Sequence, residues 1–308
     1  MKEWLAVLGY SVCISNVLLM KLIIQDSDLK VIHVAGTKGK GATCMFGSAL
    51  LLAHRSRTGF PSKVGLYTSP HLITMRERIR INSEPISESL FAKYFFEVWD
   101  LLKDLDVAPR FMQLLTLVSI HTFISENVDV AIYETHSGGE YDTTRVLRPT
   151  VTGVAKIGID HVRQLGPSIE DIAWHKAGIF HNGSPSFSVP QEPHVSKVLR
   201  ERAIEKSTSL TFVDLDARLP THIEALQPDV QKLNCSLAIA MVDAFLSTYD
   251  SHLTLEDIRC GAENYFWPGR FHQIHEDCRT WYLDGAHNEM AMPIVAKWFA
   301  ECIRDTQR

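Results

Sequence analysis

Residues 31–46 read VIHVAGTKGKGATCMF. An apolar, β-branched run closes on Ala35. Three glycines, two lysines and a threonine fill the next six positions, and small residues suited to a helix follow. A strand that breaks into glycines and reopens as a helix offers backbone N–H groups and a helix N-terminus to whatever lies above it, a setting that favours phosphate. Gly36, Thr37, Gly39, Lys40, Gly41 and Thr43 form the candidate loop, with Lys40 placed to reach terminal phosphates. The match to GxxxxGK[ST] is not strict, because Gly41 follows the lysine. Taken alone, the stretch also fits a generic Gly-rich turn.

Working outward, apolar runs predict strands at 30–35, 64–67, 128–134, 151–159 and 280–284. Helical periodicity covers 42–54, 88–104, 110–125, 168–176, 193–206, 231–248 and 288–303. Strands alternating with helices predict an α/β fold with a mostly parallel sheet flanked by helices. Functional groups in such sheets gather at the carboxyl ends of strands. That rule selects 36–41, 68–71, 134–139, 160–161 and 284–287.

The polar residues at those ends suggest chemistry. Ser69, Glu134 and His161 offer a hydroxyl, a carboxylate and an imidazole beside the loop, a set that could hold Mg²⁺, though Mg²⁺ prefers oxygen ligands. The alternative is three ordinary residues at loop edges. Thr135–Gly139 (THSGG) is similar to a nucleophile elbow with Ser137 as nucleophile, but reads better as a Gly-rich turn. Lys176, on a helix with an apolar face, reads as a solvated lysine. Asp284 and His287, in DGAHN, could serve a ribose or a metal, or cap the helix that follows.

Composition sets the limits. The 308 residues suffice for one large domain or two ordinary ones, and the net charge of −5 gives no support to nucleic-acid binding. Six cysteines, at 13, 44, 235, 260, 278 and 302, show no CxxC pairing and read as reduced thiols. Trp4–Ile24 is apolar but holds Asn16, Lys21 and Gly9, which favours a buried helix pair over a membrane span. The first 29 residues lack the Arg-rich, acid-poor character of a transit peptide, so the cytoplasm is expected, with the mitochondrion as the other compartment.

Six motifs in order carry a resemblance: VIHVAGTKGKG, GLYTSPHL with RERIRIN and EPIS, GIDH, IAWHKAGIF, WPGR and YLDGAHN. The chain resembles folylpolyglutamate synthases, members of the Mur-ligase-like family of ATP-dependent amide ligases, from about residue 28 to about 303. The resemblance implies ATP and Mg²⁺ as cofactors and a folate γ-carboxylate activated as an acyl phosphate, then attacked by the amine of glutamate. It implies catalytic roles for Lys40, Lys176 and His161, with Lys176 as the lysine that becomes carbamylated. Ser69, Glu134 and His161 would bind the metal. Asn234, Arg270, Asp284 and His287 would join the loop on the nucleotide and amine side. Residues 1–272 would form the Mur-ligase-like ATP-binding domain, and 273–308 the first strand and helix of a Rossmann-like C-terminal domain, whose remainder a protein partner could replace.

Departures from the family pattern keep other readings open. Ala42 stands for a serine, His136 for a glycine, Arg145 for an asparagine and Val230 for a histidine. These leave room for a substrate other than folate or an amine other than glutamate, for a nucleotide-binding chain that does not ligate, and for an ATP-independent enzyme using His136 and Ser137.

Overall fold

The computed structural model describes residues 29–103, 109–287 and 289–306. Its strands are β1 (Lys30–Ala35), β2 (Val64–Tyr67), β3 (Ile79–Ile81), β4 (Glu84–Pro85), β5 (Val130–Glu134), β6 (Val151–Val154), β7 (Ser186–Ser188), β8 (Leu210–Phe212), β9 (His272–Glu276) and β10 (Arg279–Leu283). Its α-helices are α1 (Lys40–Thr58), α2 (Glu88–Leu102), α3 (Phe111–Ser125), α4 (Val162–Leu165), α5 (Ile169–Lys176), α6 (Pro193–Glu205), α7 (Val230–Leu246), α8 (Leu255–Glu263) and α9 (Met292–Thr306).

The first eight strands form one sheet in the order β4-β3-β2-β5-β1-β6-β7-β8. From β2 to β8 all neighbours are parallel, while β3 and β4 add an antiparallel edge. β1 lies between β5 and β6 and is buried on both faces, which explains its unbroken apolar run. Side chains alternate across the sheet. Ile32, Val34, Leu66 and Ile132 join the core under α1, α7 and α8. Val31, Tyr67, Ala131 and Tyr133 face α2 and α3. Ala35 and Val154 extend a third cluster beneath α5 and α6.

The expected α/β sheet is present, with differences at its ends. α1 runs on to Thr58, where Gly59 takes a left-handed conformation and donates its amide to Arg55 O. The strand predicted at 151–159 stops at Val154. Beyond it the chain turns to meet the glycine loop, with Lys156 O accepting from both Thr37 N and Lys38 N. The strand predicted at 280–284 does not extend the parallel sheet but pairs antiparallel with β9 in a separate hairpin. β3, β4, β7, β8, β9 and α8 are elements that hydropathy alone did not predict. The Trp4–Ile24 stretch lies outside the described residues. Among the described residues no helix is long and apolar enough to cross a membrane, and Cys44, Cys235, Cys260 and Cys278 are free thiols.

Candidate active site

The loop between β1 and α1 is held from below by distant parts of the chain. Thr37 Oγ1 donates to Gly158 O at 3.0 Å and accepts from Gly158 N at 3.1 Å. Gly36 has φ 149° and Gly39 has φ 89°, backbone that side chains other than glycine rarely adopt. A Cβ on Gly36 would press on Ala155, and one on Gly39 would meet the Asn234 amide at 2.3 Å. These glycines therefore admit protein neighbours. With Thr37 N and Lys38 N turned down to Lys156 O, the donors left for an anion are the first-turn amides of α1 and the lysine ammoniums.

Lys40 opens α1, and its Nζ lies 3.7 Å from Glu134 Oε1 at the end of β5. Glu134 is 3% exposed. Its other oxygen accepts from Ser69 N at 2.9 Å, just past β2. Burial pushes the Glu134 pKa up, opposed by Lys40, the Ser69 amide and Arg270. Gly41 leaves open the space beside Glu134 Oε2, where a Cβ would stand 3.5 Å away. One turn along, Thr43 keeps a fully buried hydroxyl with no hydrogen-bond partner.

Lys176 is not the solvated lysine its helix suggests. It is 2% exposed, and its Nζ donates to Gly36 O at 2.8 Å, inside the loop itself. Burial, followed by repulsion from Lys40, brings its pKa down to about 7, with Asp160 and Asp142 pulling the other way. The sequence clue was the apolar flank IAW…AGIF on both sides of the lysine. Lys38 belongs to the same cluster, although sequence alone assigns it no role of its own within 36–41. Burial disfavours its ammonium, Lys40 and Arg270 repel it, and Asp160 and Asp284 support it. Lys38, Lys40, Lys176 and Arg270 thus crowd positive charge around the loop.

The remaining candidates divide. Asn234 sits against Gly39 and donates to Gln231 Oε1 at 2.8 Å, while Gln231 donates to Tyr265 OH at 3.0 Å. Arg270 packs so closely on Gly285 that a Cβ there would fall 1.8 Å from Nη1. Asp284 accepts from Phe271 N at 2.9 Å and Ala286 N at 2.7 Å, so it ties the WPGR and DGAH turns together. It does not cap α9, which begins only at Met292. His287 Nδ1 contacts Gly285 O at 2.8 Å, and Asn288 lies outside the described residues. His161 is exposed at the head of α4 with φ 51°, and its amide bonds to Asp160 Oδ1 at 2.9 Å. Among the described residues it makes no hydrogen bond or ion pair to Ser69 or Glu134, and no three His, Cys, Asp or Glu side chains gather as a metal cage. Of the expected metal set, only Ser69 and Glu134 are joined.

The nucleophile elbow is not assembled. Ser137 Oγ is buried without a hydrogen-bond partner. Both His136 nitrogens are engaged elsewhere, Nε2 with Tyr67 OH at 2.8 Å and Nδ1 with Thr143 Oγ1 at 3.0 Å. A serine without its base has no route to activation. Arg145 Nε is also buried and unpartnered, and nothing in the structure explains it. Val230 simply opens α7.

A glycine loop at the C-terminal end of a central parallel strand, with a lysine on a buried carboxylate, defines an α/β domain of the Mur-ligase ATP-binding type. Comparison with known proteins carries this further. The chain is 45% identical to a folylpolyglutamate synthase of Neurospora crassa over 325 aligned positions, covering 99% of this chain and 59% of that protein. It is 39% identical to folylpolyglutamate synthase of Saccharomyces cerevisiae, covering 100% of this chain and 58% of the relative. Among solved structures, Mycobacterium tuberculosis folylpolyglutamate synthase, complexed with ADP and AMPPCP, aligns with TM-score 0.78 at 27% identity, covering 96% of this chain and 70% of that one. No protein-family model matches. The chain is a homologue of the folylpolyglutamate synthases, and it spans somewhat under three-fifths of the length of the curated relatives it matches.

Proposed function

We propose that this chain binds MgATP on the 36–43 loop and takes part in ATP-dependent ligation of glutamate to the γ-carboxylate of a folate. The observation that carries this reading is the crowding of Lys38, Lys40, Lys176 and Arg270 around a helix N-terminus, with mutual repulsion that a bound polyanion relieves. The donor set fits the cofactors. Glu134 supplies a carboxylate oxygen, Ser69 a hydroxyl, and Thr43 an orphaned buried hydroxyl, all hard ligands suited to Mg²⁺ or to phosphate.

Bound MgATP supplies the phosphoryl group that makes the carboxylate electrophilic. The chain's own residues prepare the setting. Lys40 holds the terminal phosphates and opposes the upward push that burial puts on the Glu134 carboxyl beside it. Lys38 and Arg270 neutralise phosphate charge from the flank. Lys176 is about half unprotonated at pH 7, and its neutral amine can add CO₂: the nitrogen lone pair forms an N–C bond, a C=O pair moves onto oxygen, the nitrogen gives one proton to solvent, and the neutral amine becomes a carbamate anion. His161, at the head of α4, would be the imidazole ligand on the metal side. Asn234 and the Asp284–His287 turn border the nucleotide and the amine substrate.

In this reading residues 1–272 form the nucleotide domain and 273–308 open the second domain, since among the strands of the described residues β9 and β10 bond only to each other. The cytosol or the mitochondrion is the matching compartment. The test is ADP release from MgATP with tetrahydrofolate and glutamate, beside calorimetric titration with a non-hydrolysable ATP analogue. Mg²⁺-dependent binding lost in Lys40→Ala, with glutamylated product, is the expected result. Binding without turnover shifts the reading to a nucleotide-binding chain that needs a further polypeptide. No binding overturns it.

A further inference from the structure

β2 and β5 run parallel with Tyr67 opposite Tyr133, and their ladder ends there. Ser69 lies two residues beyond Tyr67, and Glu134 follows Tyr133 directly. Two bonds bridge the diverging ends: Ser69 N to Glu134 Oε2 at 2.9 Å, and Tyr67 OH to His136 Nε2 at 2.8 Å. The imidazole also meets the Tyr67 ring edge-on at 5.4 Å. Its Nδ1 faces Thr143 Oγ1 at 3.0 Å and Asp142 Oδ1 at 3.4 Å.

The contacts continue outward from this ring. Asp142 accepts from Ser137 N, Thr144 N and Thr144 Oγ1. Thr144 reaches His33 of β1 at 2.8 Å, and Thr143 reaches Thr116 of α3 at 2.9 Å. His136 is therefore the node of a polar network joining β1, the ends of β2 and β5, and α3. Tyr67 and Asp142 are buried around the imidazole, the His136 side chain is 9% exposed, and both ring nitrogens are taken up by contacts within the fold. Its geometric effect is to fix how far β2 and β5 spread at the level of Ser69 and Glu134.

We propose that His136 is a positioning residue for the metal: the Tyr67–His136–Asp142 chain sets the spacing of Ser69 and Glu134 and so the chain's Mg²⁺ requirement for nucleotide binding. This inference rests on the MgATP reading above. Groups that orient ligating side chains change metal affinity by about 10- to 100-fold when removed.

The experiment titrates a non-hydrolysable ATP analogue into wild type, His136→Phe, His136→Gln and Tyr67→Phe across a Mg²⁺ series, with melting curves for each. Phenylalanine keeps the bulk and loses both hydrogen bonds; glutamine keeps a polar partner for Tyr67 OH. The expected result is that His136→Phe and Tyr67→Phe need at least about tenfold more Mg²⁺ for half-maximal effect, while affinity without metal stays within about twofold and His136→Gln lies near wild type. A merely structural role lowers melting temperature and leaves the Mg²⁺ midpoint unmoved, and that result overturns the inference. Should His136→Phe not fold, Tyr67→Phe decides alone. Wild type with no Mg²⁺ effect on nucleotide binding overturns the underlying function instead.

Discussion

Lys176→Met tests the buried amine directly. The drop in pKa from 10.5 to about 7 means that the fold disfavours the ammonium by roughly 5 kcal/mol, at about 1.36 kcal/mol for each tenfold change in proton affinity. Below pH 7 the lysine is protonated in both folded and unfolded chains, and the whole penalty is present. From pH 7 to about 10.5 the unfolded chain holds the proton and the folded chain does not, so wild-type stability rises by about 1.4 kcal/mol per pH unit from this one group. Methionine removes that slope. It also removes the bond to Gly36 O, leaving a buried carbonyl unpaired at a cost of about 2 kcal/mol. Lys176→Met is therefore expected to be more stable than wild type by roughly 2–3 kcal/mol at pH 7, with the difference reversing near pH 9. Urea unfolding followed by circular dichroism at pH 6, 7, 8, 9 and 10 gives the comparison, and the difference between the two proteins cancels other titrating groups. A difference that stays flat across that range would refute the argument, as would a methionine variant that is less stable at pH 7.

Other perturbations follow from the same geometry. Lys40→Met leaves Glu134 buried without its cation and should destabilise by about 3–5 kcal/mol; adding Glu134→Gln should restore much of this in a double-mutant cycle by chemical denaturation. Asp142 has its pKa lowered to about 2: burial pushes it up, and His136 with the Thr144 amide and hydroxyl outweigh that. It contributes roughly 2 kcal/mol that is complete above pH 4 and lost as pH falls toward 2, so Asp142→Asn should flatten acid unfolding over that interval. Gly178→Ala would set a Cβ 2.3 Å from the Glu140 backbone; a loss of about 1–3 kcal/mol is expected, visible as a lowered urea midpoint.

Legibility followed local pattern. β1, β2 and β5 announce themselves as apolar runs because they are buried on both faces. β7 and β8 are three-residue strands, SFS and LTF, too short to show alternation, and β9 (HQIHE) is nearly all polar. No hydropathy reading finds such strands, because the sheet edge or a hairpin partner stabilises them. The loop, Lys40, Ser69 and Glu134 were legible as odd polar residues at strand ends. Burial of Lys176 was not, since it depends on Gly36, 140 residues away in the chain. Nor was the part played by Asp284, whose carboxylate serves the backbone of Phe271 and Ala286. His161 shows the opposite limit: motif order located it, and tertiary structure leaves it apart from Ser69 and Glu134.

The central position of β1 has a consequence for synthesis. Its two partners, β5 and β6, begin at Val130 and Val151. A ribosome adding 5–20 residues each second needs roughly 5–20 s to travel from the end of β1 to the start of β5. Through that interval KVIHVA leaves the tunnel as a sticky, unpaired segment. The glycine loop it carries has to wait longer still, for Lys176 and then Asn234. The sheet's central strand is thus made long before either neighbour exists, and codon changes that slow elongation between positions 35 and 130 prolong its exposure.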